Sequence, residues 1–364
     1  MNRLQQLNEL GQSAWLDYID RPLLDQGGLT KLVNEDGVAG VTSNPSIFQK
    51  AIAGGTDYAD ILDKLAASSN DAKSLYEAVA IRDIQDAADI LAPVYAATAT
   101  HDGYVSLEVS PQLARDTDGT IAEARRLWQA VDRPNLMIKV PGTPEGMPAI
   151  QTLIREGINV NVTLLFAREM YERTAEAYVL GLEQRQQDGN SIDKIASVAS
   201  FFISRIDSAA DAALEAAGAD AALQGKTAIA NAKLAYFHYE GLIASTRWQR
   251  LAAAGAQPQR LLWASTSTKN PDYRDVLYVE TLIGPDTVNT LPPATLAAFR
   301  DHGEAAITLG GDPSSAQATL DQVAAAGVVL ENITAQLLDD GIQSFADAFT
   351  DLLAAVDSAR TAHS

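Results

Sequence analysis

The sequence of 364 residues contains no cysteine and only four scattered histidines. The chain therefore has no disulfide, no thiol nucleophile and no thiolate metal ligand, as is usual for a cytoplasmic protein. Many metal sites in proteins use cysteine or histidine ligands. A chain without cysteine and with few histidines could bind a metal only at a site made wholly of carboxylate oxygens. We therefore expect a functional site without a metal.

The chain also lacks a long hydrophobic run. No stretch of about 18 consecutive apolar residues occurs, so the sequence predicts no membrane span. The polar, helix-forming segment 1–9 has no apolar region of the kind found in secretory signals. We therefore expect a cytoplasmic location.

Positive charge is scarce, since the formal net charge is −20. Nucleic acids and anionic membranes attract proteins with a positive field, so neither is expected as the main partner. An anionic small molecule would have to be bound by a few cations gathered at one place. Each lysine or arginine beside a motif is therefore informative.

Short apolar runs alternate with long alanine-rich amphipathic stretches, which is typical of a parallel sheet with crossover helices. Strands are expected at residues 14–18, 38–42, 105–109, 136–140, 158–163, 196–202, 261–265 and 287–290. Helical stretches include residues 71–91, 121–131, 168–186, 206–217 and 227–254, and we interpret 277–283 as the last turn of a helix rather than a strand. Eight such alternations without a linker predict an α/β fold, a single (β/α)8 TIM barrel domain over residues 1–364. An extra N-terminal helix and a helical tail from about residue 311 complete the predicted architecture.

Several strands carry polar residues on one of their two faces. Successive side chains of a strand point to opposite faces, which places Lys139 opposite Leu136, Ile138 and Val140. The same alternation separates Glu108 from its apolar neighbours and places Asn161 and Thr163 together on the polar face of the strand 158–163. Asp17 shares the face of Trp15. Because active sites of such barrels lie at the carboxyl ends of the strands, we expect these polar groups to converge there.

Lys139 is the most informative of these residues. Burying an ammonium group is costly unless it is paired, and burial favours the neutral amine that can attack a carbonyl carbon. The alternative is a structural ion pair. Two acids, Asp17 and Glu108, accompany the single lysine, so a carboxylate remains for proton transfer after neutralisation.

Amide and hydroxyl side chains among the candidate residues suit a substrate that is a polyol phosphate. Asn44 and Asn161 can hydrogen-bond hydroxyl groups, although Asn44 precedes a proline and also suits a turn. The segments 200–205 and 265–269 each begin at the end of a predicted strand and offer hydroxyls with one cation, Arg205 or Lys269. This composition suits a phosphate, while N-capping of a following helix by serine or threonine is the alternative.

At this point the chain resembles the transaldolase family, in particular its longer bacterial branch. The resemblance is carried by residues 40–48 (GVTSNPSIF), 106–110 (SLEVS), 137–141 (MIKVP), 161–166 (NVTLLF), 263–270 (WASTSTKN) and 283–292 (IGPDTVNTLP). It runs over nearly the whole chain and into the helical tail.

The resemblance implies a class I mechanism that uses no metal or other cofactor. Lys139 would form a Schiff base with a ketose phosphate, Asp17 would be the general base at the C4 hydroxyl, and Glu108 would move protons through a water held by Thr163. The remaining residues implied to bind substrate are Asn44, Asn161 and Ser200 at the three-carbon unit, and Arg205, Ser265 and Lys269 at the phosphate. Partners would be sugar phosphates of the pentose phosphate pathway, bound by a monomer or homodimer.

Two positions bear on the activity within the family. Many relatives carry an arginine two residues after the serine that matches Ser265, whereas this chain has Ser267 there and its cation at Lys269. Phe202 stands where aldolase-like relatives, which release free dihydroxyacetone, carry tyrosine. Transfer is therefore favoured over cleavage. A fructose 6-phosphate aldolase-like lyase and a non-catalytic sugar-phosphate-binding barrel remain the alternatives.

Overall fold

The computed structural model describes residues 2–53, 57, 58, 61 and 71–362 of the chain. Within them, eight parallel strands close into a barrel in which each strand pairs with its neighbours in sequence and the last strand pairs with the first. The strands are β1 (Gln12–Leu16), β2 (Gly40–Thr42), β3 (Tyr104–Glu108), β4 (Leu136–Pro141), β5 (Val160–Leu165), β6 (Ser197–Phe202), β7 (Arg260–Ala264) and β8 (Thr287–Leu291). The (β/α)8 barrel prediction is confirmed, and every predicted strand boundary lies within two residues of the observed one.

Helices surround the barrel. They are α1 (Arg3–Glu9), α2 (Arg21–Asp25), α3 (Gly28–Lys31), α4 (Pro45–Ala53), α5 (Ala72–Ala97), α6 (Thr117–Val131), α7 (Gly146–Glu156), α8 (Arg168–Gln187), α9 (Ser204–Ala216), α10 (Thr227–Ala244), α11 (Thr246–Ala253), α12 (Leu277–Glu280), α13 (Pro293–His302), α14 (Ser314–Ala325) and α15 (Leu330–Ala362). Among the described residues, none of these helices has the length and apolar character needed to cross a membrane.

Two helix predictions need correction. The predicted helix 227–254 is two helices, because Ser245 adopts an extended backbone and its hydroxyl accepts the backbone N–H of Trp248 as the N-cap of α11. The segment 277–283 contains the isolated turn α12 and no strand, rather than the last turn of a longer helix.

The outward faces of the strands form the core with the helices. Leu136, Ile138 and Val140 of β4 are fully buried, as are Ile150 and Leu153 of α7. This packing follows from the alternation in β4 and from the amphipathic pattern of α7, which share one hydrophobic core. It leaves the opposite face of β4 directed into the barrel.

The amino end of the barrel interior is filled by a paired polar cluster. Arg260 donates to Asp102 Oδ1 at 3.0 Å, to Ser13 Oγ at 2.8 Å and to the backbone oxygen of His101 at 2.7 Å. Asp102 also accepts from Ser13 Oγ at 2.6 Å and from Trp15 Nε1 at 2.9 Å. The charged groups of this end are thus neutralised and hydrogen-bonded inside the protein.

The end of β5 departs from the predicted alternation. The pairing of β5 with β6 shifts register between Val162 and Leu165, and Leu164 has a left-handed backbone with φ of 60°. An extra residue in one strand breaks the period of two, which is why alternation fails there. A side chain on Gly341 of α15 would lie 3.1 Å from Leu164, so α15 packs closely over this bulge.

Candidate active site

A cavity of about 560 Å³ opens at the carboxyl end of the barrel. Nine of the eleven predicted site residues line it: Asp17, Asn44, Lys139, Thr163, Ser200, Phe202, Arg205, Ser265 and Lys269. The other two, Glu108 and Asn161, are not among the lining residues and lie deeper in the barrel. The strand alternation and the strand-end rule thus selected residues that meet around one cavity.

Lys139 lies at the centre of this arrangement. In the barrel register it stands beside Glu108 of β3 and Asn161 of β5. The lysine is only 5% exposed, and its Nζ donates to the backbone oxygen of Ser43 at 3.2 Å. Its distance to Glu108 Oε2 is 3.7 Å, which is an ion-pair contact but not a hydrogen bond. The amine is held at the cavity floor without being fully bound by a carboxylate.

Glu108 and Thr163 contribute buried polar atoms that the protein does not satisfy. Within the described part of the chain, neither carboxylate oxygen of Glu108 nor the hydroxyl of Thr163 has a hydrogen-bond partner. Burial raises the pKa of Glu108 to about 7, with the positive charge of Lys139 opposing the rise and the nearby Asp17 adding to it. A carboxyl group that titrates near neutrality is suited to both giving and taking a proton.

Asp17 lies just beyond the carboxyl end of β1, which ends at Leu16. The predicted strand, 14–18, therefore extends two residues too far. Its backbone N–H donates to the oxygen of Leu291 at 2.9 Å, and its Oδ1 accepts from Thr42 Oγ1 at 2.6 Å. Burial raises the pKa of Asp17 above its ordinary value, while Lys139 and the hydrogen bond from Thr42 lower it. Asp17 is therefore a second, separately held carboxylate and, unlike Glu108, it lines the cavity.

Asn161 forms a buried bridge beneath the cavity. Its Nδ2 donates to Ser106 Oγ at 3.0 Å, and its Oδ1 accepts from Ser200 Oγ at 2.7 Å. The residue is fully buried, so it orients Ser200, which does line the cavity. Asn44 combines both roles considered for it, because it lines the cavity and its Oδ1 accepts the backbone N–H of Ile47 at 3.1 Å in α4.

Two cations, Arg205 and Lys269, line the side of the cavity that follows β6 and β7. No carboxylate of the described residues lies within 4 Å of either. Arg205 stands over the ring of Phe202 at 5.5 Å, and burial lowers its pKa. Lys269 donates to Ser267 Oγ at 2.9 Å, so this serine holds the lysine in place. Unpaired cations are notable in so acidic a chain, and they suit an anionic group.

Serine capping does not explain the motif after β6. Helix α9 has Ile203 at its N-cap position and no side-chain capping hydrogen bond. Instead, the hydroxyls of Ser204 and Ser265 lie 2.9 Å apart, and Ser265 has a left-handed backbone with φ of 56°. The backbone N–H of Ser204 donates to the oxygen of Ser265 at 2.9 Å, so the two loops are joined beside the cations.

Sequence reasoning missed several lining residues. Thr42 and Thr290 join their hydroxyls at 2.6 Å next to Asp17, and their inward positions in β2 and β8 were a usable signal. Phe345 of α15 lines the cavity from a helix far along the chain, and no local pattern marks it. Lys50 and Tyr18 also reach the cavity.

Comparison with known proteins gives a consistent result. The family model described as "Transaldolase/Fructose-6-phosphate aldolase" matches residues 14–356. A transaldolase of Thiobacillus denitrificans is 51% identical over 358 residues, covering 98% of this chain and all of the relative. A transaldolase of Thermobifida fusca is 49% identical over 99% of both chains, and one of Trichodesmium erythraeum is 47% identical over 97% of this chain and 96% of the relative. The chain belongs to the transaldolase/fructose-6-phosphate aldolase family and is an enzyme of the transaldolase type, a transferase.

Proposed function

We propose that this protein transfers a dihydroxyacetone unit from a ketose phosphate to an aldose phosphate through a Schiff base on Lys139. The donor would be sedoheptulose 7-phosphate or fructose 6-phosphate, and the acceptor glyceraldehyde 3-phosphate or erythrose 4-phosphate, as in the non-oxidative pentose phosphate pathway. The observation that carries the proposal is a buried lysine at the floor of a cavity that is lined by the carboxylate of Asp17 and by the cations Arg205 and Lys269. A second carboxylate, Glu108, lies 3.7 Å from the lysine amine and is buried beneath the cavity.

The first stage is formation of the Schiff base. The Lys139 amine adds to the C2 carbonyl carbon, a proton reaches the carbonyl oxygen, and water leaves to give the protonated imine. Glu108, through a water held by Thr163, would supply and remove these protons. A pKa of about 7 and the unsatisfied oxygens of Glu108 and Thr163 support this role.

The second stage breaks the C3–C4 bond. Asp17 takes the proton of the C4 hydroxyl, the electron pair of the bond moves toward the iminium nitrogen, and an aldose phosphate leaves. The three-carbon enamine stays on Lys139, held by Asn44 and Ser200, with Asn161 orienting Ser200. The acceptor aldehyde then reacts at the same carbon, Asp17 returns the proton, and hydrolysis frees the new ketose.

The phosphate would lie against Arg205, Ser265 and Lys269. Charge-assisted hydrogen bonds to a phosphate are strong, and no carboxylate of the described residues pairs with either cation, which leaves both able to make them. Phe202 lies under the Arg205 guanidinium and fixes its direction.

A second candidate, simple aldol cleavage, follows from the other activity in the family description. Here free dihydroxyacetone would leave instead of being transferred. Incubation with fructose 6-phosphate alone distinguishes the two: we expect little free dihydroxyacetone without an acceptor and rapid sedoheptulose 7-phosphate formation once erythrose 4-phosphate is added. Steady release of dihydroxyacetone at a rate equal to transfer would establish the lyase.

Borohydride trapping tests the mechanism directly. Reduction in the presence of fructose 6-phosphate should attach a three-carbon adduct to Lys139, located by peptide mass spectrometry. Lys50→Ala serves as the control, since Lys50 also reaches the cavity and its removal should leave the adduct in place. Failure to form any adduct would leave the non-catalytic barrel as the better account.

A further inference from the structure

Asp17 is held by two adjacent residues of β8 as well as by β2. Leu291 accepts its backbone N–H at 2.9 Å. Thr290, the residue before Leu291, places its hydroxyl 2.6 Å from that of Thr42, and Thr42 in turn donates to Asp17 Oδ1 at 2.6 Å. Thr290 is 3% exposed and Thr42 is 1% exposed, so water does not compete freely for these hydroxyls.

The direction of the hydroxyl chain follows from counting protons. A threonine hydroxyl has one hydrogen to donate and two lone pairs to accept with. Since the hydrogen of Thr42 is directed to Asp17, the 2.6 Å contact between the threonines requires Thr290 to be the donor. Donation into the Thr42 oxygen strengthens the hydrogen bond that Thr42 itself donates.

We propose that Thr290 is a positioning residue for Asp17: the chain Thr290→Thr42→Asp17 fixes Oδ1 and leaves Oδ2 as the oxygen that accepts the substrate hydroxyl proton. Oδ2 has no hydrogen bond to any described residue. The proposal deepens the function proposed above and rests on it, because it specifies how the base is held for carbon–carbon cleavage.

Other charges near Asp17 act on it through space. Lys139 and Glu108 interact electrostatically with Asp17, while Lys50, Arg205 and Lys269 line the same cavity. Among the described residues, none of these charged side chains is hydrogen-bonded to the Thr290 hydroxyl, whose partner is Thr42. If the pKa of Asp17 changes when Thr290 is altered, the change is therefore evidence that the hydroxyl chain acts on Asp17.

The test compares Thr290→Val, which keeps the shape and removes the hydroxyl, with Thr290→Ser, which keeps the hydroxyl. Transfer from fructose 6-phosphate to erythrose 4-phosphate is measured against pH. We expect kcat for Thr290→Val to fall roughly tenfold, as for loss of support to one hydrogen bond to a charged group, with KM little changed. The acid limb should move to higher pH, because a carboxylate that loses hydrogen-bond donation is protonated more easily. Thr290→Ser should restore both properties.

Thr287→Val is a matched control on the same strand, since it removes a hydroxyl that donates to the backbone oxygen of Gly284 at the far end of β8. It should leave the pH profile in place whatever it does to thermal stability. Thr290→Ala provides the same comparison if the valine variant folds poorly. Borohydride trapping gives a further readout: slowed cleavage in Thr290→Val should shift the Lys139 adduct from three carbons toward six.

Two results would overturn the inference. If Thr290→Val keeps the parent's kcat, acid limb and adduct, the hydroxyl chain does not hold the base. The same conclusion follows if Thr290→Ser is as impaired as Thr290→Val. Both leave the transfer mechanism standing. Absence of transfer in the unaltered protein overturns the proposed function and this inference with it.

Discussion

The two ends of the barrel interior both contain buried polar groups, but their bonding differs. At the amino end, Arg260 is paired with Asp102, and the carboxylate is further bound by Ser13 and Trp15. At the carboxyl end, the closest charge pair, Lys139 and Glu108, is 3.7 Å apart and the Glu108 oxygens make no hydrogen bond to described residues. Both arrangements lie inside one barrel.

This difference separates a structural from a functional polar cluster. Buried charges that are paired and hydrogen-bonded change the stability of the fold little, whereas unsatisfied buried charges lower the free energy of unfolding. The carboxyl end of the barrel is therefore less stable than it would be with paired groups. Its polar groups are instead free to bind a ligand and to transfer protons. Changes at the carboxyl end should therefore reduce activity more than stability, and changes at the amino end should do the reverse.

The largest effect is expected for Lys139→Ala. Transfer should fall below detection, because the other lysines lining the cavity, Lys50 and Lys269, are exposed rather than held at its floor. The thermal unfolding midpoint should change little. Activity assays and calorimetry on the same preparation measure both. Retained turnover, or an adduct that persists in this variant, would contradict the Schiff-base assignment.

Asp102→Ala should give the opposite pattern. Removing one partner of a buried pair leaves Arg260 charged and unpaired, which costs about 3–5 kcal/mol of unfolding free energy. The folded fraction should keep a near-normal kcat. Asp89→Ala, which breaks the exposed pair with Arg133, is the control and should cost less than about 1 kcal/mol. Equal losses in the two variants would remove the contrast between the ends.

Glu108→Gln tests the difference between the two ends of the barrel through the dependence of stability on pH. Transfer should fall by about 10²–10⁴, the range for loss of a general acid–base group. Glu108 titrates near 4.5 when exposed and has a pKa of about 7 in the folded protein, so between these values the folded state keeps a proton that the unfolded chain has released. Denaturant titrations should therefore show the parent losing stability relative to Glu108→Gln as pH rises from about 4.5 to about 7, and no further loss above that. A pH-independent difference would mean that Glu108 is ionised throughout.

The smallest effect is expected for Lys269→Ala. Lys269 is exposed and, in the proposed function, shares the phosphate with Arg205, so KM should rise roughly fivefold, as for one solvent-accessible charge contact, and kcat should hardly change. Lys31→Ala, at an exposed lysine paired with Glu35, is the control. An unchanged KM would leave Arg205 as the cation that binds the phosphate.

The sequence predicted the barrel and much of the site because both depend on short-range patterns. Alternation in β4 placed Lys139 inside the barrel, and the carboxyl-end rule brought it together with Asp17 of β1 and Arg205 of α9. These residues need only the correct strand and the correct face to meet.

The remainder depends on contacts between distant segments or on backbone that breaks a period. The bulge at Leu164 has no marker in an apolar run, and the left-handed Ser265 lies where a strand continuation was predicted. Asn161 faces inward as predicted, yet its burial under Ser200 depends on packing depth, which alternation does not encode. Phe345 reaches the cavity only through the path of α15.

That path bears on how the enzyme is made. Lys139 leaves the ribosome about two hundred residues before Phe345, an interval of roughly 10–40 s at ordinary rates of synthesis. During that time the barrel strands that carry the lysine and both acids can assemble while one wall of the cavity is still missing. The nascent chain would then hold its reactive amine in an open site, and docking of α15 through Gly341, Phe345 and Leu352 would be the event that turns a folded barrel into a working catalyst.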